Sequence, residues 1–460
     1  MDSIIQQLGA NMLEEMISTI LECGLKMDKS IDALQRITKQ YSLKVMQHLI
    51  EETDKILQED KVGRRQAGWV VERYGDKRAV MTEIGEIQYQ RTYYRNNETR
   101  EYKYLVDSII EVTPYMRVGT SLSQELVTKS RRESFQKAVE NACNGALSKQ
   151  TVLNKVRKAK PVIEIPSEKK QVLELHIDAD EDHVALQDKD CKARTIVPLI
   201  SVYEGIEKCG TRNICKNIFH ISSYGEDADT IWENALTRIE QLYDLTNTKI
   251  YLHGDGASWI AKGMEWLPNA TFVLDMYHKN KYVQHLLAGY AKEKIPQLRK
   301  NINQALVDMD KEYFENIVEQ LIAYSPMRET KIKEAAAYLS NHMPDIAIRN
   351  TDLAACNGGA TEPHISHVLS SRLSSRPKAW SKETLEVFTP ILANGPNVYM
   401  TYTEPLDVQP VALNALKQAR SKLSRNNGNS TFQSSLMITQ MGKKTQLYQA
   451  LSGLVRNRMC

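Results

Sequence analysis

None of the seven cysteines in this 460-residue sequence forms a Cys-x-x-Cys pair. A zinc ribbon and a thioredoxin-like redox pair are therefore not indicated, and Cys209 and Cys215 stand too far apart for a zinc knuckle. A scattered, odd set suits a reducing cytoplasm, where disulfide frameworks do not persist. No window approaches about 18 uninterrupted apolar residues, so no transmembrane helix and no membrane partner is expected. The opening stretch MDSIIQQLGANMLEEMISTILECGLKMDKS is amphipathic and carries acids. It lacks a basic start followed by a continuous apolar run, so it does not read as a signal peptide. No repeat at a solenoid period is visible. The chain also lacks a strong net charge: +3 overall does not mark it as a nucleic-acid binder.

What remains is ordinary globular composition, 42% hydrophobic and 25% charged. At this length roughly two to four domains are expected. The charge is unevenly spread. Nine Lys/Arg face four acids from Ser381 to Cys460. A basic C-terminal region over 401–460 suits phosphate, or simply a solvated surface.

Texture divides the rest. Residues 1–63 read as a helical region, with apolar residues at three- and four-residue steps, serving packing or oligomerisation. Residues 64–165 read as a β-hairpin turning at NNET, followed by a helix-turn-helix-like pair. The hairpin interleaves Tyr89, Arg91, Tyr93, Tyr94 and Arg95, a mixture that suits nucleic acid as well as a plain exposed sheet face. The second helix of the pair carries Lys149, Lys155, Arg157 and Lys158; any helical hairpin with a basic face would match that pattern. After the linker PVIEIPSEKK, residues 170–400 read as an α/β layer. Its strands are QVLELHIDAD, ARTIVPLISVYEGI, NICKNIFHIS, KIYLHG and NATFVL, with an Asp-capped helix at DADTIWENALTRIEQLYDL. A polar helical insertion is expected over 280–350.

Three acids stand out by context. Asp180 closes the first strand, Asp255 closes a later one between Gly254 and Gly256, and Glu362 precedes a Ser/Arg-rich helical stretch. Acids from different strand ends can converge at one sheet edge. A carboxylate cluster there binds Mg²⁺, a hard cation that takes oxygen ligands. Two such ions about 4 Å apart serve phosphoryl transfer by activating the attacking oxygen and stabilising the leaving one. Strand-end acids also serve as turn residues and helix caps. In an extended strand Asp178, Asp180 and Asp182 share one face while Glu181 points away. Alternation therefore removes Glu181 and leaves three candidates for the first ligand.

Taken in order, IDADEDHVALQ, LHGDGASWI, VLDMYH and EPHISHVLSSRLSSRP resemble the DDE transposases of the Mutator-like superfamily. The nearest group is the ISLre-type bacterial insertion-sequence transposases. The resemblance runs from about residue 64 to 400. It implies a ribonuclease-H-like catalytic core with an all-α insertion, preceded by a DNA-binding region. It implies an enzyme of DNA recombination that cuts element ends and joins their 3′-hydroxyls to target DNA. The cofactor would be Mg²⁺, two ions, with Mn²⁺ as a substitute. The partners would be double-stranded DNA, both terminal inverted repeats and target, and further copies of the chain in a synaptic complex. The location would be the nucleoid. Asp180, Asp255 and Glu362 match the metal-binding acids. Asp275 and His278 match the Cys/Asp-x-x-His signature. Relatives often carry Gly-x-aromatic after the first Asp where this chain has DEDH, so Asp178 and Asp182 stay as rivals to Asp180.

Arg372 and Arg376 suit DNA phosphate or a solvated helix face. His364 and His367 are three apart and could hold metal only with a third ligand. Trp259 and Trp380 suit base stacking or burial. The alternative functions are a nuclease of the same fold without strand transfer, and a non-enzymatic DNA-binding regulator. A sugar hydrolase using paired carboxylates is more distant, since no aromatic-rich cleft accompanies the acids.

Overall fold

The computed structural model describes residues 2–159, 161–163, 165–187, 193–376, 378–394, 399–400 and 408–426. They divide into two compact units, one built from the described parts of 1–126, 139–148 and 402–460, the other from 127–138 and 149–401. Of the expected basic C-terminal region, Lys443, Lys444, Arg456 and Arg458 lie outside the described residues.

The first unit begins with two long helices, α1 (Asp2–Glu22) and α2 (Met27–Glu59). α2 buries Ile37, Tyr41, Ile50, Ile56 and Leu57 at helical spacing. An antiparallel sheet follows: β1 (Trp69–Thr82), β2 (Gly85–Asn96) and β3 (Tyr102–Lys103). Thr82 pairs with Gly85, so the hairpin reverses at Glu83 and Ile84. NNET, expected to make that reversal, instead joins β2 to β3. Gly85 takes φ +138°, a backbone that glycine accepts and other residues resist. The Tyr/Arg interleaving is not one exposed face either. Tyr89 and Arg91 are buried against Asp107, and Tyr94 is buried in the core that β2 shares with α2. There Asp54 accepts hydrogen bonds from Thr92 (2.7 Å) and Gln58 (3.0 Å). The helix Pro410–Asn426 closes the same core with Val411, Ala412, Ala415 and Ala419.

In the second unit α3 (Lys149–Lys158) buries Val152 and Val156 and packs on the helix Lys382–Ala393. The region expected over 64–165 is thus shared between the units. A five-stranded sheet forms the centre, from β4 (Glu174–Ala185), β5 (Arg194–Tyr203), β6 (Phe219–Ile221), β7 (Lys249–Gly254) and β8 (Ala270–Leu274). The spatial order is β6-β5-β4-β7-β8. β5 runs antiparallel to β4 and β6 to β5, whereas β7 runs parallel to β4 and β8 parallel to β7. Two helices cover one face, α4 (Ala228–Leu242) and α5 (Ser258–Trp266). The expected Asp cap of α4 is Asp227, which accepts from the Thr230 N–H at 2.8 Å. Strand alternation then sorts β4. Leu175, Ile177 and Ala179 join Trp232, Ala235 and Ile239 in the apolar layer. His176 and Asp178 fall on the opposite, polar face.

The expected helical insertion forms after β8. It comprises α6 (Met276–Leu287), α7 (Ile295–Val307), α8 (Lys311–Tyr324), α9 (Glu329–Asn341) and α10 (Met343–Thr351). It has its own core of Leu286, Ile302, Leu306, Phe314, Leu321 and Leu339. Each such side chain contributes about 2 kcal/mol on burial. The chain returns to the sheet in α11 (Thr361–Ile365), which continues through wider π-type turns to Leu373. Among the described residues no helix is long and apolar enough to cross a membrane.

Candidate active site

Parallel pairing fixes where the acids fall. The last partners along β7 are His253 with Asp178 and Gly254 with Leu274. Asp180 does not close its strand as expected, because β4 runs on to Ala185 against β5, but it lies just beyond the pairing with β7; Asp255 follows β7, and Asp275 follows β8. All three stand at the carboxyl edge of adjacent parallel strands, where α/β sheets leave room for ligands. Glu362 arrives from α11.

Asp180 registers these neighbours. Burial pushes its carboxyl up to about 7, the negative charges of Asp255 and Glu362 push the same way, and the Glu181 N–H and the charge of His278 oppose them. The Glu181 N–H donates to Asp180 Oδ1 at 2.8 Å. Asp255 Oδ1 accepts from the Ala257 N–H (2.8 Å) and its carbonyl accepts from the Tyr338 hydroxyl of α9 (2.7 Å). Gly256 takes φ +84°, and a Cβ there would strike the His342 ring. The helical insertion therefore helps to hold the Asp255 turn.

Asp275 has a different task. It caps α6 by accepting from the N–H groups of Tyr277 (3.2 Å) and His278 (3.3 Å), and it receives the Thr361 hydroxyl (3.4 Å). His278 Nδ1 lies 3.2 Å from the same carboxylate. Burial disfavours the charged imidazole, but Asp275 and the charges of Asp255 and Asp180 outweigh it and raise its pKa. The acids around His278 thus favour its protonated form.

The donor set suits a hard divalent cation: carboxylate oxygens, one of them partly buried beside two of like charge. Among the described residues, however, no three His, Cys, Asp or Glu side chains are placed so that all could hold one ion. Asp180, Asp255 and Glu362 share a field without forming a closed ligand set.

The two rivals for the first ligand are engaged elsewhere. Asp178 is 1% exposed. It accepts from the Tyr203 hydroxyl (3.0 Å), the Gly359 N–H (3.2 Å) and the Ala360 N–H (2.9 Å), and His364 Nδ1 stands 3.1 Å away. Leaving a buried carboxylate unpaired costs several kcal/mol; these donors offset that cost. His364, His253 and the Tyr203 hydroxyl keep the carboxyl below its usual range despite burial. Asp178 ties the loop leading to Glu362 onto the strand that carries Asp180. Asp182 is buried and accepts from the Ser374 hydroxyl at 2.7 Å.

Several sequence expectations change here. Alternation set Glu181 aside, and it accepts the Trp259 indole N–H at 2.6 Å, which engages that ring's polar edge. His364 partners Asp178, while His367 is exposed, so the two do not form a metal pair. Trp380 is buried and donates to the Leu373 carbonyl. Arg372 is not a phosphate contact. It is 3% exposed, caged by the rings of Phe135, Trp380 and Phe388, and donates to the Ser130 carbonyl at 2.6 Å. Arg372→Ala is expected to cost about 2–4 kcal/mol in urea unfolding through lost packing. Arg376 is exposed, as are Lys149 and Lys158. Arg157 bonds Thr384 (3.2 Å), and burial lowers the pKa of Lys155.

The sequence reading missed Tyr203, Tyr338 and the stacked pair His176 and His253, whose Nδ1 and Nε2 atoms are 3.1 Å apart. Burial drives the His253 pKa down to about 3. The Gly358-Gly359 pair just before Glu362 was the available signal, since paired glycines often mark close approach of backbone to other groups. Cys215 Sγ lies 3.6 Å from His364 Nε2. Burial and the Asp178 charge push that thiol up to about 11, so it stays protonated and does not act as a nucleophile.

A family model for an uncharacterised protein family, UPF0236, matches residues 20–398. The chain belongs to UPF0236. One family member, from Caldanaerobacter subterraneus subsp. tengcongensis, is 39% identical over 395 residues, covering 84% of this chain and 82% of its own. Its name joins eleven loci of one genome. A second from the same organism is 35% identical over 469 residues, covering 98% of this chain and 97% of its own, and its name joins four loci. UPF0236 proteins thus recur as repeated paralogues within one genome.

Proposed function

We propose that this UPF0236 protein is a DDE-type transposase of the Mutator-like superfamily, with a ribonuclease-H-like core. The observation that carries the reading is the placement of Asp180, just past the parallel pairing of β4 with β7, and of Asp255, at the end of β7, within electrostatic range of Glu362. The sheet order supports it. Three antiparallel strands followed by two parallel to the first is the arrangement expected of such a core. The repeated loci of the relatives are what a mobile element leaves behind.

Asp180, Asp255 and Glu362 would hold Mg²⁺. When bound, that ion polarises the phosphodiester and the attacking oxygen. His278, whose charged form the neighbouring acids favour, would offset negative charge where a phosphate enters. Asp275 fixes the orientation of that ring and caps the helix beneath it. Asp178 keeps Glu362 in register with Asp180. Water adds to phosphorus at the element end and the 3′ oxygen leaves, taking a proton to become a 3′-hydroxyl. That hydroxyl then displaces a 3′ oxygen in target DNA. Positioning and charge neutralisation account for both steps.

The test uses DNA carrying the repeats that flank the gene. With Mg²⁺, nicks ending in 3′-hydroxyl are expected from the native protein. Asp255→Asn should cut at background while binding the same DNA. Full cutting by that variant sinks the carboxylate assignment. Cutting without joining supports the nuclease alternative instead, and DNA binding without any cutting supports the regulator.

A further inference from the structure

The first unit contains a cleft of about 460 Å³ that the catalytic reading does not use. Arg78, Arg91, Tyr93, Tyr102, Tyr104 and Tyr115 line much of it. Its rings form a ladder. Tyr102 stacks on Tyr93 at 5.6 Å with planes 25° apart, and Tyr93 meets Tyr104 at 4.7 Å. The Arg91 guanidinium sits 3.5 Å over the Tyr104 ring. Ordinary packing accounts for those inner contacts. It does not account for the two outer rings.

Tyr102 is 47% exposed and Tyr115 is 92% exposed. Tyr115 also holds φ +63°. A bulky residue in the left-handed region costs about 1–2 kcal/mol and persists where the surroundings demand it. A fully solvated ring gains nothing from that backbone in the protein as it stands. The polar groups are equally one-sided. Asp107, the acid of the cleft, is consumed by the Tyr89 hydroxyl at 2.9 Å and by its ion pair with Arg91. Arg78 spends one nitrogen on the carbonyls of Thr113 (3.3 Å) and Met116 (2.5 Å). Arg78 Nε and Arg91 Nε are buried and make no hydrogen bond. Flat aromatic faces beside two guanidinium groups, with the one acid among the described lining residues already paired, suit a planar ring attached to an anion.

We propose that this cleft binds an unpaired nucleotide of single-stranded DNA, its base against Tyr102 and Tyr115 and its phosphate toward Arg78. Stacking tolerates any base and cationic side chains track the backbone. A volume of about 460 Å³ has room for one nucleotide. The proposal concerns the first unit only, so it stands or falls independently of the carboxylate edge.

The test uses the full chain with chelator present, to separate binding from cleavage. Fluorescein-labelled oligothymidylate and a duplex of equal length are titrated by anisotropy. Tyr102→Ala and Tyr115→Ala should each weaken single-strand binding about 5- to 100-fold, the range that stacking supplies. Duplex affinity should not change, and Tyr115→Phe should bind like the native protein. Displacement of the oligonucleotide by thymidine monophosphate would show that one free nucleotide fills the cleft; failure to displace would show that it acts as part of a longer strand track. Unchanged single-strand binding in both alanine variants overturns the proposal. So does an equal loss for duplex, or no single-strand binding by the native protein.

Discussion

Asp180→Asn is expected to abolish Mg²⁺-dependent cleavage and yet raise the unfolding midpoint of the metal-free protein at about pH 8. The two effects share one cause. Folding places the Asp180 carboxyl in a partly buried site beside the charges of Asp255 and Glu362, which lifts its pKa to about 7 from 3.8. Above pH 7 the native state must carry that charge against burial and repulsion, while the unfolded chain carries it freely. The penalty fades as pH falls from about 7 towards 3.8, because the native carboxyl takes up a proton that the unfolded one does not. Asparagine is neutral throughout. The variant should therefore gain about 2–4 kcal/mol at pH 8 and almost nothing near pH 4. Mg²⁺ should reverse the ranking, since a ligand bound only by the native state stabilises it. Equal midpoints at pH 8, with and without the substitution, would remove the electrostatic argument for the site.

Gly358→Ala is the second large effect. Gly358 has an ordinary negative φ, so the objection is steric. A Cβ would fall inside contact distance of both the His253 Nε2 and His176 Nδ1 atoms. Those rings are fully buried and stacked on each other, and His176 stacks in turn on Tyr203 and Tyr251. They have nowhere to retreat. Overpacking of this kind costs about 1–3 kcal/mol, and the loop should yield before the stack does. Moving that loop breaks the Gly359 and Ala360 hydrogen bonds to Asp178 and shifts Glu362. Cleavage should drop to background, with an unfolding midpoint several degrees lower. Native-like cleavage would mean that Asp178 does not position Glu362.

The acid edge was legible because alternation and strand ends are local. LELHIDAD and IYLHGDG each show an apolar run reaching an acid, and the parallel pairing of β4 with β7 brings those acids to one edge, although β4 itself runs on to Ala185. What separated Asp178 from Asp180 was not local. The two are the same residue type on one strand. The donors that claim Asp178 lie on Tyr203 and 181 and 182 residues downstream, on Gly359 and Ala360. Arg372 was misread for the same reason. Its spacing in SSRLSSRP suggests a basic helix face, and only the tertiary cage of Phe135, Trp380 and Phe388 reveals a buried cation. The hairpin was displaced because NNET carries stronger turn chemistry than Glu83-Ile84. The alternating pairs from Val80 with Ile87 to Thr82 with Gly85 decided the reversal instead.

Joining is the property that separates a transposase from every other enzyme the carboxylate edge could serve. The direct measurement supplies native protein and Mg²⁺ with pre-cut element ends bearing free 3′-hydroxyls and a supercoiled plasmid. Products are resolved by size and sequenced across the junction. Covalent element-to-plasmid junctions, lost in Asp255→Asn, are the expected result. Pre-cut ends left unjoined by a protein that binds them and nicks intact DNA would contradict the transposase reading.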